Sequence, residues 1–432
     1  MEQQIIPIET ESLFEQMTSL TELGRSFAEV KRNKGAPGID GVTIAMFEND
    51  LHKELMQLRQ ELVSWHYKPQ AVRRVELPKP NGGVRMLGVP CVRDRIVQTA
   101  IKRVLEPILD PRFSKNSYGF RPGRNQRQAV EAAQRIVVEE KKGFVVDIDL
   151  SKFFDRVNHD RLLASLGKHG IDKRLRKLIG MILRSGVMID GKYEPSREGT
   201  PQGGSLSPLL SNVVLDELDK ELEKRKLSFC RFADDCNIFV GSRKAAERVM
   251  QKISAYIESK LKLVVNREKS QVAETKDVKF LGMTIVNGKR TISNQAMRRA
   301  AEQVKQLTPR GTFMTLEATL AKINQWYVGW ANYFSMTEFP KQLKTIESHI
   351  RRRLRARIVK QAKKRRYLYR KVVRQGISGK AAARAIYSNR GTWALSKSWA
   401  LNNAYKNEWF SKAGLKTMSD QELPHWFTVK RG

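Results

Sequence analysis

The chain has 432 residues, of which 80 are Lys or Arg and 45 Asp or Glu, so its formal net charge is +35 and its pI is near 10.2. No apolar run is long enough to cross a membrane, Met1-Glu2-Gln3-Gln4-Ile5 lacks a signal-peptide pattern, and Cys91, Cys230 and Cys236 form no CxxC pair, which sets aside membrane, secreted disulfide-rich and zinc-knuckle classes. What remains is a protein of two or three domains in a reducing cytoplasm, with a polyanion as partner, because Lys and Arg gain affinity by displacing counterions from phosphates.

In chain order, Leu13, Met17, Leu20, Leu23 and Phe27 recur at helical spacing and predict one short leading helix within residues 1–30. Pro80-Asn81-Gly82-Gly83 is a turn signal between Val75-Glu76-Leu77 and Val84-Arg85-Met86-Leu87, hence a hairpin that projects Lys79 and Arg85. Two cations there suit a triphosphate. Residues 143–150 read as a strand whose strict alternation sets Asp147 and Asp149 on one face and Val146, Ile148 and Leu150 on the other. Two helices are expected next, near 160–184 and 207–226, the second with Ser207 as N-cap and Pro208 in its first turn. Before it, Gln202-Gly203-Gly204 allows close backbone approach.

Phe229–Phe232 and Cys236–Val240 read as two short strands joined at Ala233-Asp234-Asp235. Alone, such an Asp pair is an ordinary solvated turn. With Asp149 on a neighbouring strand, three carboxylates converge and hold two divalent ions about 3.5–4 Å apart. Mg²⁺ is expected, because hard cations take carboxylate oxygens and keep waters for phosphates, with Mn²⁺ as a substitute. After Thr291 the chain turns helical and basic: residues 341–375 carry 15 Lys and Arg against Glu347 alone. Leu343, Ile346, Ile350 and Leu354 form an apolar stripe amid Arg351, Arg352, Arg353, Arg355, Lys363, Lys364, Arg365 and Arg366, which predicts RNA contact.

Ordered segments resemble the group II intron-encoded reverse transcriptases: residues 33–43, 77–85 with 94–98, 117–124, 200–208, the Asp pair, 266–269 and 280–282, then Ile323–Phe334 as in the maturase-specific X domain. The tail from Trp393 to Phe410 and the lack of Cys/His pairs of an HNH endonuclease after residue 380 are similar to the bacterial class C proteins. The resemblance implies an α+β, right-hand polymerase-like fold with an antiparallel palm sheet followed by an α-helical thumb. It divides the chain into an N-terminal extension (1–30), fingers (31–130), palm (131–290), thumb or X domain (291–380) and a nucleic-acid-binding tail (381–432). It implies an RNA-directed DNA polymerase with Asp149, Asp234 and Asp235 as catalytic metal ligands, and with Lys79, Arg85, Phe154, Gln202 and Lys269 around the nucleotide. Phe154 would be the ring that excludes a 2′-hydroxyl; Leu281 and Gly282 would grip the primer. Expected partners are the RNA template, a group II intron RNA, a DNA primer or target and dNTPs, in a bacterial cytoplasm beside the nucleoid or in a ribonucleoprotein. Two alternatives stay open: a maturase acting mainly as an RNA-binding splicing cofactor, and a domesticated or CRISPR- or defence-associated reverse transcriptase.

Overall fold

The computed structural model describes residues 12–78, 83–201 and 203–418, and the chain divides into two compact units between Glu274 and Thr275. The leading segment is two helices, Leu13–Thr18 and Leu20–Arg32, rather than one. Ser19 breaks it: its backbone is extended, and its hydroxyl accepts the Glu22 N–H at 3.2 Å to cap the second helix. Both helices bury their apolar side against the helix Val92–Leu109.

β1 (Val72–Pro78) pairs antiparallel with β2 (Val84–Val89), Leu77 opposite Arg85, the hairpin expected from its turn residues. The acidic strand is β3 (Phe144–Ile148). The helix expected near 160–184 is split into His159–Lys168 and Lys173–Leu183, with Gly170 at φ 81° between them. A short hairpin follows, β4 (Val187–Ile189) and β5 (Lys192–Glu194), turned by Asp190 (φ 48°) and Gly191 (φ 80°); β4 extends the first sheet by pairing parallel with β1. The helix Ser207–Lys224 begins on Ser207 with Pro208 in its first turn, but Leu206 occupies the N-cap position. Ser207 is instead the first helical residue, its hydroxyl donating to Pro201 O at 2.8 Å.

β6 (Ser228–Phe232), β7 (Asp235–Val240) and β8 (Gln271–Glu274) complete a second sheet of order β6-β7-β3-β8, antiparallel throughout. The helices Gln126–Glu139 and Arg243–Tyr256 pack on this sheet, so the first unit is α+β around one continuous core.

The second unit opens with a hairpin, β9 (Met283–Val286) and β10 (Lys289–Ile292), and is otherwise helical. The stripes read from sequence are its core: Leu320, Ile323 and Tyr327 on Leu316–Phe334 meet Ile346, Ile350 and Leu354 on Pro340–Gln361. Leu395, Leu401 and Phe410 of the C-terminal helices are buried in the same cluster. Among the described residues no helix is long and apolar enough to cross a membrane.

Candidate active site

The β6–β7 hairpin ends on the pair Phe232–Asp235, which leaves Ala233 and Asp234 as a two-residue turn. Ala233 lies at φ 56°, a left-handed conformation that costs a residue with a Cβ roughly 1 kcal/mol. On the other side of β7, Ile148 of β3 pairs with Cys236, so Asp149 comes next along β3 just as Asp235 comes before Cys236. The two acidic segments thus end at the same edge of one sheet. Asp234 is half-buried, and that burial lifts its carboxyl above the ordinary value; the charge of Asp149 pushes the same way, while Arg85 and Arg231 pull it down. Asp235 is exposed. Asp147, by contrast, sits opposite Asn237 and accepts a hydrogen bond from Gln271 Nε2 at 3.3 Å. Among the described residues no three His, Cys, Asp or Glu side chains already converge on one metal position. An acid whose proton affinity is raised by a neighbouring carboxylate is nevertheless part of a donor set that a hard divalent cation relieves.

What holds this turn was not legible as a site in the sequence. Arg231 is completely buried (0% exposed) and makes a bidentate pair with Asp219 at 2.7 and 2.6 Å. Its remaining nitrogen, Nη1, donates to Asn212 Oδ1 (3.0 Å) and to the carbonyl of Ala233 (2.8 Å). The guanidinium therefore ties the turn to the helix Ser207–Lys224. Asn212 in turn donates to Gly119 O at 2.9 Å, and the backbone of 116–118 runs alongside β6 through Arg231 N–H to Asn116 O and Tyr118 N–H to Arg231 O. Gly119 has to be glycine, because a Cβ there would stand 2.2 Å from Ala233 N. Asp149 is fastened separately: Ser270 Oγ accepts its N–H at 3.0 Å, and Asn266 N–H donates to its carbonyl at 2.8 Å. The thiols flanking the turn are buried, Cys230 pushed up to about 12 and Cys236 higher still by desolvation; burial likewise raises Cys91, to about 11.

Of the residues expected around a nucleotide, Arg85 is exposed on β2 and its charge is felt at Asp234. Lys79 and Gln202 lie outside the described residues. Their neighbours show the local frame: Gly203 (φ 118°) presses against β2, where a Cβ would stand 2.5 Å from Gly88 O. Phe154 is half-buried in a short 3₁₀ turn just after β3, edge-on to Phe153, and its carbonyl accepts the Thr200 N–H at 2.7 Å. The adjoining His159 is buried and its Nε2 bonds to Gly199 O at 2.6 Å, a structural role. Lys269 is exposed in the Asn266–Ser270 turn that grips Asp149.

Leu281 (φ 52°) and Gly282 (φ 79°) belong to the second unit, where they form a tight turn closed by reciprocal bonds between Phe280 and Met283. The Leu281 carbonyl accepts from Tyr333 OH at 2.7 Å. The arginines of Pro340–Gln361 are largely engaged within their own unit. Arg351 is buried and pairs with Glu347 at 3.5 Å, and Arg352 lies over the Trp393 ring at 3.8 Å. Arg353 donates to Thr308 O at 2.8 Å, Arg355 to Tyr405 O at 3.0 Å, and the buried Arg357 to Thr319 and Met314. Arg365 donates to Ile386 O and Arg390 O, whereas Lys363, Lys364 and Arg366 are exposed.

Comparison with known proteins defines the class. Residues 77–285 match the reverse transcriptase (RNA-dependent DNA polymerase) family, and residues 297–376 match the maturase-specific domain of group II introns. Protein YkfC of Escherichia coli strain K12 is 34% identical over 67% of this chain and 86% of its own length. The group II intron-encoded protein LtrA of Lactococcus lactis subsp. cremoris is 27% identical over 69% of this chain, an alignment that spans 60% of LtrA. Among solved structures, a partial Cas6-RT-Cas1–Cas2 complex contains a chain 25% identical over 58% of this chain and 43% of that one, with a TM-score of 0.38. The chain belongs to the reverse transcriptase family, in the branch that carries a group II intron maturase domain.

Proposed function

We propose that this protein copies RNA into DNA with Asp149, Asp234 and Asp235 as its reaction centre, and that its second unit binds the folded intron RNA to assist splicing and retrohoming. One observation carries the reading: two acids 85 positions apart in sequence are neighbours at one sheet edge, close enough for Asp149 to raise the proton affinity of Asp234. In this reaction a primer 3′-hydroxyl attacks the α-phosphate of a dNTP, and pyrophosphate leaves. Asp149, Asp234 and Asp235 would hold two Mg²⁺ ions, which would supply activation of the hydroxyl and stabilisation of the departing charge. The chain's own part is to hold the acids in position. Arg231 does so through the Ala233 carbonyl, and Ser270 through the Asp149 N–H. Arg85 meets the triphosphate together with Lys79; Phe154 packs against the sugar, Gln202 lies beside it, and Lys269 reaches the leaving pyrophosphate. Leu281 and Gly282 position the primer.

The test is primer extension on an RNA template by Asp234→Ala. Synthesis should fall by about 10³-fold or more, the scale of removing a principal electrostatic group, while binding of structured RNA stays within about twofold. An Asp234→Ala protein that still copies RNA ends the assignment. Splicing assays of the same variant separate the two roles, since a purely RNA-binding maturase would be unaffected.

A further inference from the structure

The cations of the basic second unit are not equivalent. Those along Pro340–Gln361 that lie in the body of the unit spend their N–H groups on carbonyls, a hydroxyl, a carboxylate and a ring. One set of exposed cations gathers at the junction with the next helix, Arg365–Arg374. There Arg310, Lys360, Lys363, Lys364 and Arg365 line a cavity of about 560 Å³ whose walls, among the described residues, contain no acidic residue. Lys363 sits in the left-handed region at φ 50° and the next N–H closes back on Ala362 O at 2.5 Å, a strained kink of the kind proteins keep where a side chain must point a particular way.

Beside this cavity stands an unusual side chain. Phe313 is exposed to the full extent of a free residue (109%). It follows Gly311 and Thr312, which themselves line the cavity. Its loop is held to the basic helix from both ends. Arg353 binds Thr308 through both its carbonyl (2.8 Å) and its hydroxyl (2.9 Å), Arg357 binds the Met314 carbonyl, and Gln361 donates to Thr312 O at 3.4 Å. A phenyl ring presented to water on an anchored loop, near five cations that pair with no carboxylate among the described residues, matches the alternation of flat bases and charged phosphates along an unpaired strand. A membrane or an acidic protein surface would use the charge but not a single exposed ring on the loop that lines the cavity.

Resting on the polymerase–maturase reading, we propose that the loop 308–315 and the helix junction at Lys363 form a subsite for a single strand of nucleic acid. One base stacks on Phe313, and the neighbouring phosphates are taken by Arg310, Lys360, Lys363 and Lys364. An unpaired strand is the substrate of this subsite, not the paired duplex.

The experiment measures binding by the full chain of three labelled oligomers of equal length: single-stranded RNA, single-stranded DNA, and an abasic sugar–phosphate strand. Phe313→Ala should weaken the based strand by about tenfold, within what stacking of one base on one ring contributes, and leave the abasic strand unchanged; Phe313→Trp should restore binding. Whichever of RNA and DNA shows this dependence is the natural strand. Lys363→Ala with Lys364→Ala should weaken all three and lower the log–log salt slope by about 1.4, two phosphates' worth for a single strand. The proposal fails if Phe313→Ala binds every strand like the parent, if it weakens the abasic strand equally, or if polyglutamate binding shows the same dependence on Phe313. Primer extension by the Phe313→Ala protein on a pre-annealed template keeps the two readings apart: activity there upholds the polymerase whatever the oligomers show.

Discussion

The acidic hairpin of the first unit and the long basic helix of the second both rely on buried arginine, and they use it in opposite ways. Arg231 is matched to a carboxylate, Asp219, at bidentate distance, and only its last nitrogen serves the Ala233 carbonyl. The half-buried Arg353 and Arg355 and the buried Arg357 pair with no carboxylate among the described residues; they satisfy backbone carbonyls and hydroxyls. In the first case charge is neutralised so that a turn can be fixed next to acids. In the second, positive charge is retained while its hydrogen-bonding capacity is consumed internally. A basic helix can therefore add to the field that draws in nucleic acid without its guanidinium groups being free to touch it.

The sharpest way to break this contrast is Arg231→Met, which leaves Asp219 buried and unpaired and should cost about 3–5 kcal/mol in urea unfolding. Arg231→Met combined with Asp219→Leu should recover most of that stability, because well-packed apolar groups replace a buried pair without loss. Primer extension by the double variant should stay at least tenfold low, since nothing then holds the Ala233 carbonyl. Full recovery of synthesis would show the pair to be packing alone.

Asp94 tests a buried acid without an arginine clamp. It accepts hydrogen bonds from Tyr67 OH (2.6 Å) and Gln70 N–H (3.1 Å), yet burial raises its pKa from 3.8 to about 6. A raised folded pKa means the native state binds the proton more tightly. That contribution is complete below about pH 3.8 and gone by about pH 6. Relative to Asp94→Asn, the parent should thus lose about 2 kcal/mol of stability between pH 4 and pH 7; a pH-independent difference contradicts this. Ser270→Ala should have a smaller effect, about 1 kcal/mol, accompanied by a several-fold fall in the rate of synthesis with little change in RNA affinity. The smallest effect belongs to Lys364→Ala, whose exposed side chain should change the thermal midpoint hardly at all while lowering RNA affinity.

Much of this was readable beforehand. The alternation around Asp147 and Asp149, the aromatic and β-branched flanks of Asp234 and Asp235, and the 3–4 spacing of Leu320, Ile323 and Tyr327 translate directly into β3, β6–β7 and a core helix. The β4–β5 hairpin had half a signal, Asp190-Gly191 after the apolar run Val187-Met188-Ile189, but Lys192-Tyr193-Glu194 on the other side of the turn is exposed and carries no apolar pattern. The break at Ser19 likewise had its cue in a capping residue four positions before Leu23. The Arg231–Asp219–Asn212 cluster had none. Its members lie on two different elements, and nothing in composition tells a buried arginine from a surface one. The same blindness affects the basic helix, where counting charge says nothing of which carbonyl each guanidinium meets.

The three thiols have a practical consequence. Each is buried and each holds its proton at neutral pH, so none offers the thiolate that electrophiles require. A cysteine introduced at an exposed place such as position 364 would react with a maleimide dye far ahead of the native sulfurs. Single-dye attachment, and with it distance measurement by energy transfer, is open to this protein without first stripping out its natural cysteines.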